Sequence, residues 1–212
     1  MNLSILVGSC DEYHFLWEKF TYLFNKYWDH NIKINKKFLL TQDIHFDNDT
    51  FETICTGHKP WTQRLQDAIN KIDSDYILWL QDDYFFTRTI PLETFSYYFD
   101  FILKNNVHRF GIHDSNEMYY LLDDNTGYSK YSQYSYYTIS LQASIWNKNF
   151  LSLCINNDQS PWEFELHGSQ TLNSTLIHNI YLSIQNPSWY REAMKRGKYT
   201  DDYYYICAKE SI

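Results

Sequence analysis

The chain has 212 residues, a formal net charge of −8 and an aromatic content of 19%. This length predicts one domain, 1–212, with a sizeable core, and the composition excludes a disordered chain. The acidic balance excludes nucleic acid as an expected partner, because nucleic-acid binding usually needs a basic face.

The four cysteines are widely spaced and form no CxxC pair. They predict reduced thiols and a cytoplasmic protein rather than a disulfide framework or a zinc site. No apolar stretch reaches the length of a membrane span, and the N-terminal apolar run is too short for a signal peptide. A protein of this kind that acts on membrane-linked substrates would bind peripherally at the membrane surface.

The first 86 residues alternate between strand and helix patterns. The apolar run Leu3–Val7 predicts a buried strand, and apolar residues at helical spacing predict a helix over 13–28. A strand over 36–43, a helix from Trp61 and a strand over 76–80 follow. This order predicts an α/β fold with βαβ units and a mixed, mostly parallel central sheet flanked by helices.

Polar residues follow the predicted strands at their carboxyl ends, where ligands bind in such sheets. Asp82 and Asp83 end the apolar run "YILWLQDD". Buried carboxylates are costly unless they are paired, hydrogen-bonded or bound to a metal. Carboxylates at a strand end suit Mg²⁺ or Mn²⁺ shared with substrate phosphates. A turn in which one aspartate caps the next segment is the structural alternative.

The later elements begin with a helix from Pro91 to about Leu103 and a strand in "HRFGIHD". The Tyr-rich segment Tyr119–Tyr137 is expected to form an exposed loop or hairpin. The run "YTISLQASIW" predicts a strand and "NKNFLSLCI" a short helix. The run "SPWEFELHGS" predicts a helix with a capping box, in which Ser160 is the N-cap and Glu163 stands at N3.

Basic residues concentrate near the C-terminal end, in "REAMKRGKY". They are Arg191, Lys195, Arg196 and Lys198. A solvated, charged helix end is one interpretation. The other is a flexible loop that closes over a diphosphate and neutralises the leaving group.

The runs "ILVGSCDEYHFLWEKF", "YILWLQDDYFF", "SLQASIWNKNFL" and "SPWEFELHGS" together resemble a GT-A-fold glycosyltransferase. The similar group occurs in bacterial surface-polysaccharide clusters and in large DNA viruses, and the resemblance covers nearly the whole chain. It implies a single Rossmann-like GT-A domain with a nucleotide-binding half, 1–86, and an acceptor-binding half, 87–212, which carries the basic loop. It also implies a nucleotide-sugar donor, most often a UDP-sugar, a glycan, lipid-linked or protein-linked acceptor, and Mn²⁺ or Mg²⁺ as cofactor.

In this resemblance Gln81-Asp82-Asp83 takes the place of the family's DxD motif, with Asp83 as the metal ligand. Gln81 replaces the first aspartate, which often touches the ribose, and Asp82 would take over part of its role. Some relatives use a late histidine as a metal ligand, for which His167 and His178 are candidates. A single histidine is more often structural.

The resemblance also implies contacts with the nucleotide. Candidates in the first strand and its turn are Val7, Gly8, Ser9, Asp11 and Tyr13. Asp43 would bond the base, and Arg64 a phosphate or a sugar hydroxyl. The alternative for Arg64 is a surface ion pair.

Inverting members of the fold place a carboxylate near a helix start, where it deprotonates the acceptor hydroxyl. Glu163 and Glu165 are the candidates, although a capping-box glutamate has the same spacing as Glu163. The Tyr-rich segment Tyr119–Tyr137 would supply aromatic faces for an acceptor sugar. If neither glutamate is needed, a retaining mechanism becomes the better hypothesis.

Two alternatives compete with a glycosyltransferase. A nucleotidyltransferase of similar fold would need a Gly-rich phosphate loop followed by an arginine near the N-terminus, which "VGSCDEY" lacks. A non-catalytic carbohydrate- or nucleotide-binding protein on a degenerate transferase fold is favoured by the missing first aspartate. The sequence contains no GxSxG, HExxH or P-loop pattern of other enzyme classes.

Overall fold

The computed structural model describes residues 2–112, 121–123, 128–131, 135, 137–156, 158–175, 179–183 and 189–212. Its first half alternates strands and helices. They are β1 (Leu3–Gly8), α1 (His14–Tyr27), β2 (Lys37–Thr41), β3 (Glu52–Cys55), α2 (Trp61–Asn70) and β4 (Tyr76–Gln81). A 3₁₀ turn over Asp11–Tyr13 leads into α1, so the α-helix begins one residue later than predicted.

The second half contains short strands between four helices. It runs β5 (Tyr84–Phe86), α3 (Leu92–Lys104), β6 (Arg109–Gly111), β7 (Leu121–Asp123), β8 (Ser129–Tyr131), β9 (Ser144–Asn147), α4 (Lys148–Cys154), α5 (Pro161–Thr175), β10 (Ile180–Leu182), β11 (Tyr190–Glu192), β12 (Met194–Lys195), β13 (Lys198–Tyr199) and α6 (Asp201–Glu210).

Nine of these strands form one sheet in the order β3-β2-β1-β4-β9-β6-β10-β8-β7. The strands β1 to β4 are parallel to one another, and β10 is parallel to β6. Only β9 and β8, among the strands described in this sheet, run against the others, because their pairings with β4, β6, β10 and β7 are antiparallel. The predicted mixed, mostly parallel sheet flanked by helices is confirmed.

The chain buries β1 on both faces, which explains its continuous apolar sequence. Leu3, Ile5 and Val7 pack into one hydrophobic cluster with α1 and α3. Leu6 packs into the other cluster with α2. The sheet therefore has a core on each side, and its strand ends are free to form a site along one edge.

Several predicted elements are shorter than expected or differ in kind. Only the last three residues of "YTISLQASIW" belong to a strand, β9, which ends one residue beyond the run at Asn147, and the residues before Ser144 form a loop. The basic tail is a β-hairpin, β12–β13, rather than a helix end or an irregular loop. Of the Tyr-rich segment, the described part contains the antiparallel pair β7–β8, and the other residues of Tyr119–Tyr137 lie largely outside the described ranges.

Candidate active site

A cleft of about 200 Å³ opens at the carboxyl ends of β1 and β4. Residues from both halves of the chain line it. They are Gly8, Ser9, Cys10, Tyr13, Trp61, Arg64, Trp79, Gln81, Asp82, Asp83, Leu141, Pro161, Met194 and Arg196. The parallel pairing of β1 with β4 places Gly8 beside Gln81, so the first turn and the aspartates meet.

Gly8 is required by the close approach of an aromatic ring. A Cβ atom at this position would lie 2.3 Å from Cη2 of Trp79, where no side chain fits. Trp79 is itself fixed, because its Nε1 donates a hydrogen bond to the carbonyl oxygen of Leu141 at 3.0 Å. The glycine thus lets the Trp79 ring form part of the cleft floor.

Asp82 is 4% exposed and is held by side chains from the first turn and from α1. Ser9 Oγ donates a short hydrogen bond to Asp82 Oδ2, and Trp17 Nε1 donates to the same oxygen at 3.2 Å. Burial raises the pKa of Asp82 from 3.8 to about 7, and the hydrogen bonds from Ser9 and Trp17 only partly oppose this shift. Asp82 therefore changes its charge near neutral pH.

Asp83 has a buried carboxylate oxygen, Oδ1, that accepts no hydrogen bond from the described residues. Burial raises the pKa of Asp83 well above its ordinary value, and the nearby Asp82 and Glu192 raise it further. A buried polar atom without a partner is uncommon and costs stability. An oxygen left in this state beside a cleft is suited to a cation.

Asp83 can hold a hard divalent cation only if a bound ligand supplies part of the coordination shell of that cation. The described ranges hold no group of three or more His, Cys, Asp and Glu residues arranged for a metal. Mg²⁺ at phosphate-binding sites often uses one or two carboxylates, water and substrate phosphate. Asp83 can fill that role. His167 is exposed on α5, where Nδ1 lies 3.3 Å from Gln159 Nε2, and it does not line the cleft. His178 lies outside the described residues.

Only some of the residues predicted to contact a nucleotide in the first strand and its turn line the cleft. Gly8, Ser9 and Tyr13 line the cleft, whereas Val7 is 0% exposed and packs in the core. Asp11 lies away from the lining, where its Oδ1 accepts from Gln42 N and its Oδ2 from Asp43 N, both at 2.9 Å. Although burial raises its pKa, these backbone N–H groups lower the pKa of Asp11 below the ordinary value. Asp11 therefore fastens the loop after β2.

Asp43 and Arg64 occupy different environments. Asp43 is exposed, and its carboxylate lies 3.0 Å from His58 Nε2, outside the cleft. Arg64 is 4% exposed, lines the cleft and donates from a guanidinium nitrogen to the Ser9 carbonyl oxygen at 2.8 Å. The surface ion pair that was the alternative for Arg64 is absent, since its described partners are Ser9 and Thr56. Arg64 is a buried cation that braces the first turn.

Gln81, in the place of the first DxD aspartate, points its amide toward the cleft floor. Its Nε2 donates to Tyr84 Oη at 2.9 Å and to the Leu141 carbonyl oxygen at 3.3 Å. Tyr84 Oη donates to the same carbonyl at 3.1 Å. The amide of Gln81 thus joins β4 to the loop before β9.

The four basic residues of the tail fall on different faces. Arg191 lies in β11, opposite Phe85 of β5, and faces a second, polar cleft with Arg88 and Asp202. Successive strand residues point to opposite faces, which explains why Arg191 turns away while its neighbour Glu192 is close to Asp83.

The hairpin β12–β13 carries the other three cations. Arg196 and Gly197 form its turn with φ angles of +52° and +73°, the left-handed values of a tight hairpin turn. Arg196 lines the cleft, and Lys195 and Lys198 are paired, exposed residues beside the turn. Just before the hairpin, Ala193 N donates to the Asp83 carbonyl oxygen at 2.7 Å. The hairpin is therefore attached directly to the aspartate pair.

The two glutamates of α5 have different partners. Glu163 is exposed, and its Oε2 accepts from Ser160 N at 2.8 Å and from Ser160 Oγ at 2.7 Å, which is the predicted capping box. These bonds lower its pKa. Glu165 Oε1 accepts from Leu141 N at 2.6 Å, beside the cleft. Neither glutamate lines the cleft, but Glu165 contacts a residue that does.

Sequence reasoning missed the loop over 138–143 and the residues that β11 adds. Leu141 lines the cleft, and its carbonyl oxygen accepts from three side chains. Gln142 Nε2 donates to Glu192 Oε1 at 3.1 Å, while Tyr190 Oη donates a short hydrogen bond to Gln142 Oε1. The run "SLQAS" gave the only signal, because its polar residues interrupt an otherwise apolar strand pattern.

No protein-family model and no curated protein matches the chain. Solved structures do. The S. aureus TarS fragment 1–349 in complex with UDP matches with a TM-score of 0.58 at 11% identity, over 90% of this chain and 60% of that chain. The same fragment was also solved with UDP-GlcNAc. The present chain thus spans less than two thirds of the TarS fragment.

Two cytidylyltransferase-type structures match over nearly their full lengths. One is a cytidylyltransferase from Leptospira borgpetersenii serovar Hardjo-bovis, with a TM-score of 0.55 at 12% identity, over 100% of this chain and 95% of that chain. The other is CMP:2-keto-3-deoxy-manno-octonic acid synthetase complexed with CTP, with a TM-score of 0.54 at 12% identity, over 100% and 99%.

At these sequence identities the structural likeness shows the fold alone, so the function must be argued from the residues of the cleft. No described helix is both long and apolar enough to cross a membrane. All four cysteines have free thiols. The chain has a GT-A-like α/β fold, which it shares with TarS and with these two cytidylyltransferase-type structures.

Proposed function

We propose that the protein is a glycosyltransferase that moves a sugar from a nucleotide-sugar, with UDP as the nucleotide, to a hydroxyl group of a glycan, lipid-linked or protein-linked acceptor. The observation that carries the proposal is the cleft at the ends of β1 and β4. Buried Asp82 and half-buried Asp83, with its buried oxygen Oδ1, lie on its floor, and the Arg196 turn lies at its wall. This pairing of acidic and basic groups suits a diphosphate bound together with a cation.

Different residues of the cleft contact different parts of the donor. Trp61 offers an aromatic surface to the donor, and Arg196 supplies positive charge to the diphosphate as the nucleotide leaves. Mg²⁺ or Mn²⁺, held by Asp83 and by phosphate oxygens, would supply further positive charge there. Asp82 orients the first turn through Ser9, so that the turn keeps its position when a ligand enters.

Glu165 is the better candidate for the base that takes a proton from the acceptor. Glu163 is committed to the helix cap, where its carboxylate satisfies the Ser160 N–H. Glu165 lies against Leu141 at the edge of the cleft. Transfer by direct attack of the acceptor oxygen on the anomeric carbon then inverts the configuration, and it needs no protein nucleophile.

A nucleotidyltransferase is the second candidate, favoured by the nearly complete coverage of the cytidylyltransferase and the synthetase complexed with CTP. Against it stand the backbone groups of the first turn. Ser9 N donates to the Leu40 carbonyl oxygen at 3.1 Å, and Asp11 N donates to Gln42 Oε1 at 3.2 Å. These N–H groups are used within the protein, whereas a triphosphate loop presents such groups to its ligand.

Calorimetric titration separates the candidates. UDP, GDP, CMP and CTP are titrated with Mn²⁺, and again with EDTA, into the wild-type protein, Asp83→Asn and the matched control Asp100→Asn. Asp100 is an exposed aspartate in the C-terminal half of α3. We expect UDP to bind with Mn²⁺, to bind at least about tenfold more weakly with EDTA or Asp83→Asn, and to bind Asp100→Asn normally.

The other outcomes are equally definite. Preference for CTP would support the nucleotidyltransferase. Failure of folded protein to bind any nucleotide would exclude both enzymes and support a non-catalytic protein. Where UDP binds, release of UDP from a panel of UDP-sugars identifies the sugar.

A further inference from the structure

Four aromatic side chains form a row that leads out of the cleft. Tyr13 lines the cleft, and its ring centroid lies 6.0 Å from that of Phe15. Phe15 lies 5.7 Å from Tyr199, and Tyr199 lies 5.9 Å from Tyr204. We call Tyr13, Phe15, Tyr199 and Tyr204 the aromatic ridge. It joins the start of α1, the basic hairpin and α6, three elements that are distant in sequence.

The outer part of the ridge is exposed. The exposed fractions are 39% for Phe15, 41% for Tyr199 and 60% for Tyr204. Aromatic side chains carry much of the energy of binding surfaces, so a contiguous exposed group indicates a ligand. Tyr203 stacks on Tyr199 at 4.1 Å and also contacts Phe85 of the core, which fixes the ridge to the protein.

The charge around the ridge excludes a strongly anionic partner. Seven charged residues lie within three positions of a ridge residue in sequence, five acidic and two basic: Asp11, Glu12, Glu18, Asp201 and Asp202, with Arg196 and Lys198. The surroundings of the ridge are therefore acidic on balance. An anionic lipid surface or a nucleic acid needs a basic excess, whereas a neutral, hydroxyl-rich chain needs flat apolar faces with polar rims. Tyrosine provides both, because its ring is apolar and its hydroxyl is polar.

We propose that the aromatic ridge binds successive sugar units of a neutral glycan chain, which is the acceptor of the transfer reaction. The role of this glycan as acceptor rests on the proposed glycosyltransferase function, but binding of the glycan to the ridge does not require that function. Because Tyr13 belongs to both the ridge and the cleft, the end of a bound glycan would reach the cleft there. The other sugar units would lie on Phe15, Tyr199 and Tyr204. An acceptor of several sugars should therefore bind more tightly than a monosaccharide.

The test is a titration of neutral oligosaccharides of glucose, galactose, mannose and N-acetylglucosamine, of increasing length, into the full-length protein. The variants are Tyr199→Ala with Tyr204→Ala, Phe15→Ala, and the control Tyr97→Ala, which removes a 61% exposed tyrosine of α3 away from the ridge. We expect affinity for one series to rise with length and to fall about tenfold or more in the double variant, because two stacking faces are lost. Phe15→Ala should give a smaller loss, and Tyr97→Ala none.

UDP titration on the same proteins separates failure of this inference from failure of the proposed function. Glycan binding without UDP binding would support the ridge and overturn the glycosyltransferase. The proposal for the ridge would be wrong if the protein bound UDP but no oligosaccharide. It would also be wrong if the double variant bound the oligosaccharides as tightly as the wild type. Sedimentation with phosphatidylglycerol vesicles, lost in the double variant while glycans stay unbound, would overturn it in favour of a membrane surface. If the double variant does not fold, Phe15→Ala alone decides.

Discussion

The acidic residues of the cleft and of the α5 helix cap have opposite environments in this protein. Asp82 and Asp83 lie on the cleft floor, where burial raises the pKa of both. Glu163, on the first turn of α5, is exposed, and hydrogen bonds from Ser160 lower its pKa. The helix cap stabilises the charge of Glu163, whereas the fold destabilises the charges of the aspartates. A carboxylate kept against such a cost is the better marker of a binding site.

The largest expected effect follows from neutralising Asp83. Asp83→Asn should reduce turnover of the UDP-sugar by about 100-fold or more, because it removes the proposed cation ligand. The same change should raise the free energy of unfolding by about 1–3 kcal/mol, since a carboxylate whose charge is opposed by burial, Asp82 and Glu192 is replaced by a neutral amide. Kinetics and urea unfolding measure the two effects. Loss of both activity and stability would contradict a role in binding the ligand.

Asp82 should make the stability of the protein depend on pH. Its folded pKa of about 7 lies above its ordinary value of 3.8, so the folded state binds more protons between these values. The stabilisation from this group is therefore fully present below about pH 4 and is lost as pH rises toward 7, by roughly 4 kcal/mol at most. Urea unfolding across this pH range measures the loss. Asp82→Asn should make the curve flatter, and an unchanged curve would refute the shift.

Gly8→Ala changes the cleft floor without altering either carboxylate. The new Cβ would meet the ring of Trp79 at 2.3 Å, so the ring must move and the protein should lose about 1–3 kcal/mol of stability. Gly168→Ala is the matched control. Gly168 lies within α5, and a Cβ there would lie 3.3 Å from Ile139, a tight contact that a small shift relieves. Since alanine is also the better helix former, the net change in stability should be small. Thermal unfolding compares them, and equal effects would mean that Trp79 yields easily.

Glu163→Ala should have the smallest effect. Loss of the capping box should lower the melting temperature by about 2 °C, with UDP-sugar turnover unchanged. Glu165→Gln, by contrast, should reduce turnover and leave UDP binding intact. If Glu163→Ala abolished turnover while the protein stayed folded, the assignment of the base to Glu165 would be wrong.

The sequence predicted the parts of the fold that depend on long apolar patterns. The strands β1 and β4, the helix α1 and the aspartate pair after β4 were found in this way. Some three-residue strands, such as β5, were missed because so few residues carry no period, although the equally short β6 was predicted. Composition also misplaced Arg191, since a cluster of cations does not show which faces a strand will give them.

The roles of single carboxylates were the least predictable feature. Asp11 follows a strand end as Asp82 does, yet it binds three backbone N–H groups of the loop after β2. Which role a strand-end aspartate takes depends on the strand or loop that lies beside it in the folded chain. The contacts of Leu141 were hidden for the same reason, because its partners Trp79 and Tyr84 lie about sixty residues away.

The bond from Ala193 to Asp83 has a consequence for synthesis of the protein. The acidic residues are made early, but β11 and the hairpin that complete their surroundings are made more than one hundred residues later. Until then Tyr84 lacks its stacked partner Tyr190. A nascent chain on the ribosome therefore cannot form the complete site, and its N-terminal half leaves apolar surface exposed that chaperones can recognise.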